Sequence, residues 1–132
     1  MKPGQWIRLG ALFCMIAVVT GAFGAHALKE HLSDYQLDIW NKAVQYQFIH
    51  AVAICFCGLL GLHTSESTIT KATWFFVAGI ICFSGSLYLL STIDLHGFNV
   101  KWAGPVTPMG GICFIAGWIM VALNGVKSKK EN

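Results

Sequence analysis

Of the 132 residues 55% are apolar and 11% charged, and the mean hydropathy is +0.61. A soluble domain of this size cannot bury that much apolar surface, so a bilayer is the natural solvent. A formal net charge of +3, with lysines and arginines at segment ends rather than in a stripe, excludes nucleic acid as a partner.

Lys2 and Arg8 precede an apolar run that ends in Gly21-Ala22-Phe23-Gly24-Ala25-His26. A basic start, a short apolar stretch and small residues also describe a secretory signal with its cleavage site. Three further long apolar runs follow, so we read residues 7–25 as an uncleaved first span. Next, Ser33 and Gln36 fit a capping box. From there Leu37, Trp40 and Val44 form an apolar stripe, while Asp34, Asp38, Asn41 and Gln45 share another face. An interfacial helical extension is therefore expected to lead into a second span over residues 44–62. The third span covers residues 73–92 and the fourth residues 106–124, where Thr107 suits an N-cap and Pro108 the first helical position. Each run approaches the ~20 residues that cross a hydrocarbon core of ~30 Å. The expected fold is an all-α membrane protein, a single domain over 1–132 built as a four-helix transmembrane bundle.

Orientation follows from the basic residues. Lys2, Arg8, Lys71, Lys127, Lys129 and Lys130 fall on one side, and Lys29, Lys42 and Lys101 on the other. Both termini are accordingly expected in the cytoplasm. The unusual polar residues then gather in the outer half, near span ends where water reaches them.

Small residues recur at helical spacing, and in lipid such stripes mark where helices meet. Gly21, Gly24, Gly85, Gly110 and Gly117 are the expected packing positions. Polar side chains inside the spans need partners, and a network from Gln47 and His50 to Ser84 and Tyr88 would supply them. With His26 and Thr107 these form the candidate ligand or network residues. The five histidines show no HxxxH or HExxH spacing, and Cys14, Cys55, Cys57, Cys82 and Cys113 form no CxxC pair. No metal and no cofactor is expected. Nucleophile elbow, P-loop and dinucleotide fingerprint are all missing, so the chain leans away from being an enzyme.

Three motifs in order, Gly21-Ala22-Phe23-Gly24-Ala25-His26, Phe83-Ser84-Gly85-Ser86-Leu87-Tyr88, and Gly104-Pro105-Val106-Thr107-Pro108-Met109-Gly110-Gly111 with Gly117-Trp118, resemble a family of small bacterial inner-membrane proteins. It is domain of unknown function 423, which has mitochondrial relatives in animals. The resemblance covers nearly the whole chain; Ala27, where glycine is expected, is one departure. It implies four spans and a bacterial cytoplasmic membrane, and it supplies no activity or catalytic residue.

The functional expectation is a non-enzymatic membrane protein that binds a small ligand, lipid or partner subunit at an outer-facing polar cluster. A small oligomeric transporter or channel, as a homo-oligomer or with a membrane partner, is the alternative. Topology is directly testable. A cysteine at Ser67, in a background without native cysteines, is expected to resist a membrane-impermeant thiol reagent in intact cells; ready labelling from outside would reverse the orientation.

Overall fold

The structure is a computed structural model that describes residues 1–63 and 66–124. Lys127, Lys129 and Lys130, which enter the orientation count, lie outside the described residues. The first helix runs Pro3–Phe23 and continues through a π turn, Gly24–Leu28. The second is a single rod, Asp34–Leu60. The third comprises Glu66–Gly79, a π turn Ile80–Ser84, and Gly85–Ser91. A short helix, Ile93–His96, precedes the fourth long one, Ala103–Asn124. Four helices are thus long and apolar enough to cross a membrane, and they pack as a bundle.

Local chemistry explains the helix starts. The Ser33 hydroxyl accepts from the Gln36 backbone N–H at 3.3 Å, and the Gln36 side chain accepts from the Ser33 backbone N–H at 3.0 Å. That closes the capping box and lets the second helix start at Asp34, so extension and span are one element of 27 residues, ~40 Å long. The fourth helix begins at Ala103 rather than at Thr107. Pro105 then takes the first turn, where a missing N–H costs little, and Pro108 lies inside the helix. Thr107 is no cap; its hydroxyl donates back to the Ala103 carbonyl at 3.0 Å.

The second and third helices occupy the middle. In their most apolar stretches 44% and 39% of residues are buried, against 17% in the first and fourth, which are peripheral. The first helix packs on the second where side chains vanish: a Cβ on Gly10 would strike Cys55 and the Ala51 carbonyl, one on Gly58 would strike Ile7, and one on Gly24 would strike the Trp40 indole. Gly21 faces Val44 at 3.3 Å. The fourth helix lies on the third in the same way, Gly110 against the Phe83 backbone and Gly117 against the Phe76 ring. Gly85 is different, since the nearest atom to a Cβ there is a carbonyl of its own helix, Ile80 O at 4.0 Å. It sits in no helix interface.

These contacts fix an antiparallel up-and-down order. Gly58 meets Ile7 and the Pro3 carbonyl, while Gly79 meets Phe114 and Gly117 meets Phe76. Pro3 and Asn124 therefore come to the same end of the bundle. Trp6, Ile54, Cys57, Ile69 and Phe76, each at most 3% exposed, fill that end. At the opposite end Leu28, Leu32 and Trp40 form a smaller cluster, and the Gln36 amide donates to Asp94 at 2.6 Å.

Gly110→Ala is expected to destabilise the protein by about 1–3 kcal/mol, because the colliding atoms are backbone and have no rotamer to yield. Gly85→Ala should be neutral or stabilising by up to ~1 kcal/mol through helix propensity. Unfolding both variants in mixed micelles checks the contrast, and equal effects would refute the backbone contact.

Candidate functional site

Several polar residues of the spans assemble around Tyr88. Its hydroxyl donates to the Gln47 Oε1 at 2.9 Å and lies 3.1 Å from the Thr20 hydroxyl. Gln47 in turn donates from Nε2 to the Phe13 carbonyl at 3.0 Å. The Trp40 indole N–H donates to the Thr20 carbonyl at 2.9 Å, and the Trp40 and Tyr88 rings meet edge-on at 4.6 Å. Three helices are joined by this chain. Because the Tyr88 proton is committed to Gln47, Thr20 is left to donate either to the Tyr88 oxygen or to its own helix's carbonyls, Ile16 at 3.0 Å or Ala17 at 3.1 Å. Each donor has an acceptor, as burial in hydrocarbon requires.

His50 is held apart from this chain. Its Nδ1 lies 2.7 Å from the Tyr46 carbonyl, and its Nε2 accepts from the Trp118 indole N–H at 3.2 Å. An acceptor at one nitrogen and a donor at the other assign the neutral imidazole with the proton on Nδ1. The ring lies flat on Phe114, centroids 3.5 Å apart and planes 10° apart, and is 5% exposed. His50 stands ten residues from the helix end at Leu60, ~15 Å at helical rise, which is half of a ~30 Å core. Gln47 is one turn further out. Both lie well inside the helix that carries them, which runs unbroken from Asp34 to Leu60.

The remaining candidates are dispersed. Ser84 closes the π turn of the third helix, fully buried, and its hydroxyl has no partner among the described residues. Thr107 pairs with Ser86 at 2.6 Å, linking the third and fourth helices. His26 lies exposed in the π turn of the first helix. Gln47 and Tyr88 are therefore brought together, while His50, Ser84, Thr107 and His26 go elsewhere. Thr20, Trp40, Ser86 and Trp118 carry bonds that sequence reasoning missed. A signal existed for two of them: Thr20 abuts the small-residue stripe, and Trp118 closes the third motif. Among the described residues no group of three or more His, Cys, Asp or Glu is placed to hold a metal ion.

On the lipid side of His50 the second and fourth helices leave an open groove of about 470 Å³, walled by Tyr46, Ile49, Phe83, Phe114, Ile115 and Trp118. A neighbouring groove of about 430 Å³, which shares Ile49 and Trp118 with it, is lined by Phe48, Val52, Ala53 and Phe56. Both follow the second helix, which from Tyr46 to Phe56 spans ~15 Å at helical rise, and together they are called the trough below.

The family model described as "Protein of unknown function (DUF423)" matches residues 20–111. A UPF0382 membrane protein of Staphylococcus aureus (strain bovine RF122 / ET3-1) is 45% identical over 118 residues, covering 89% of this chain and 92% of the relative. The UPF0382 membrane protein YwdK of Bacillus subtilis (strain 168) is 40% identical over 123 residues, covering 92% of this chain and 96% of its own length. No solved structure matches the chain. The chain belongs to the DUF423 family, and with its four long apolar helices it is a multi-pass membrane protein with bacterial relatives.

Solid-state ¹⁵N spectra should show the His50 ring neutral and protonated at Nδ1. Trp118→Phe, which keeps a ring and removes the donor, is expected to cost about 0.6–2 kcal/mol of stability and to loosen the tautomer preference. A proton on Nε2 in the parent protein would contradict the assignment.

Proposed function

We propose that this DUF423 membrane protein is a non-enzymatic binding protein that seats the hydrocarbon chain of a membrane lipid in the trough between its second and fourth helices. The observation that carries the reading is the trough itself: an aromatic and aliphatic channel about as long as one leaflet of hydrocarbon is deep. Its volume lies within the 300–1,000 Å³ range of small-molecule sites. A partner helix, with a diameter of ~10 Å including side chains, would lie over such a groove rather than in it.

The polar residues support the same reading. His50 has both ring nitrogens engaged and turns only its edge and its stacked partners to the trough. It braces the wall. Gln47, Tyr88 and Thr20 satisfy one another inside the bundle, and Ser86 satisfies Thr107. Wall chemistry of this kind selects an apolar chain over a polar solute. A transport path through one bundle would also have to pass Trp6, Ile54, Cys57, Ile69 and Phe76, which close the end beneath Gln47.

Photocrosslinking with a phospholipid that bears a diazirine in its acyl chain tests the proposal. Adducts are expected several-fold more often on residues 46–56 and 111–118 than on Val18 and Val19, which are exposed on the first helix. Val52→Trp, which fills the trough, should remove the excess. Even labelling of trough and first helix would sink the proposal.

A further inference from the structure

A second groove, of about 330 Å³, opens between the third and fourth helices and is lined by Lys71, Trp74, Phe75, Ala78 and Cys113. It shares no residue with the trough. We infer that it binds an anionic phospholipid, with the headgroup phosphate at Lys71 and an acyl chain along Trp74, Ala78 and Cys113, in the leaflet on the side of Pro3 and Asn124.

The spacing sets this out along one helix face. Lys71, Trp74, Phe75 and Ala78 stand at i, i+3, i+4 and i+7, so they line one stripe of the third helix. From Lys71 to Ala78 the stripe descends ~10 Å, and the small side chains of Ala78 and Cys113 leave the floor open. Lys71 is exposed at the mouth. Among the described residues the one salt bridge is Lys42 to Asp38, so no described carboxylate neutralises Lys71. A charged head on an aliphatic stem above an apolar slot matches the divided chemistry of a lipid.

Trp74 fixes the depth. It is 52% exposed, yet its ring is held edge-on by the buried Trp6 at 5.2 Å, a placement suited to the headgroup boundary. The same contact brings the start of the first helix, with Lys2 and Arg8, to this end of the third. Local charge is therefore basic, which attracts anionic lipid.

Native mass spectrometry of delipidated protein, offered equal phosphatidylglycerol and phosphatidylcholine with identical acyl chains, reads the preference. Phosphatidylglycerol should be retained in excess. Lys71→Gln is expected to lower the retained ratio about fivefold, the effect of one near-surface lysine on an anionic lipid, and Lys71→Arg to preserve it. Arg8→Gln, also exposed, should lower the ratio by less than about twofold, because Arg8 adds to the basic field at this end but does not line the slot. Val52→Trp in the trough should leave the ratio unchanged, which separates this site from the chain-binding one. An unaltered ratio in Lys71→Gln, or an equal fall in Arg8→Gln, would overturn the inference.

Discussion

Backbone contact at glycine is the constraint on which this bundle depends. Without a hydrophobic drive between helices in lipid, association rests on how closely two backbones approach. Gly10 and Gly58 draw the first helix onto the second, and Gly110 and Gly117 draw the fourth onto the third. Two tight pairs result, joined along the second and third helices by larger side chains such as Ile54, Phe76 and Ile80. Because each glycine seam pulls its peripheral helix towards one central partner, the second and fourth helices are left apart. The trough is the space between them.

Polar side chains then act as cross-braces on a frame that glycine has already set. Tyr88 ties the third helix to the second and first, Ser86 ties it to the fourth, and Trp118 ties the fourth to the second through His50. Interhelical bonds of this type average ~0.6 kcal/mol in membranes, whereas an orphaned polar group costs several. Their main effect is thus on register: a one-residue slip of any helix would break a bond and strand both partners. The His50 to Trp118 bond matters most for shape, since it ties the second and fourth helices, the two walls of the trough, to each other.

Much of this was legible in the sequence. Four apolar runs, the Ser33 and Gln36 capping box, and the stripes through Gly21, Gly24, Gly110 and Gly117 all depend on local spacing, which one chain displays. Gly85 shows where spacing fails. On a regular helix Ala78, Cys82 and Gly85 share a face, but the π turn at Ile80–Ser84 inserts an extra residue per turn and rotates the segment from Gly85 onward. Gly85 leaves the seam. The start of the fourth helix was misplaced: Thr107 and Pro108 fit a cap and a first position, yet the helix already begins at Ala103, with Pro105 in its first turn. Trp118 and Thr20 were unreadable as partners because their bonds to His50 and Tyr88 each span 68 residues.

The two grooves share a structural dependence through the fourth helix. Cys113 and Phe114 are neighbours in sequence, yet Cys113 lines the slot below Lys71 and Phe114 the trough beside His50. Between the two flanks, Gly110 and Gly117 seat this helix on Phe83 and Phe76. The fourth helix is therefore a wall common to both grooves. Phe83 strengthens the link, since it belongs to the π turn, meets Gly110 through its backbone, and contributes its ring to the trough. The extra residue that displaced Gly85 from the packing stripe thus lies where the fourth helix is seated, on the helix that borders both lipid-facing openings.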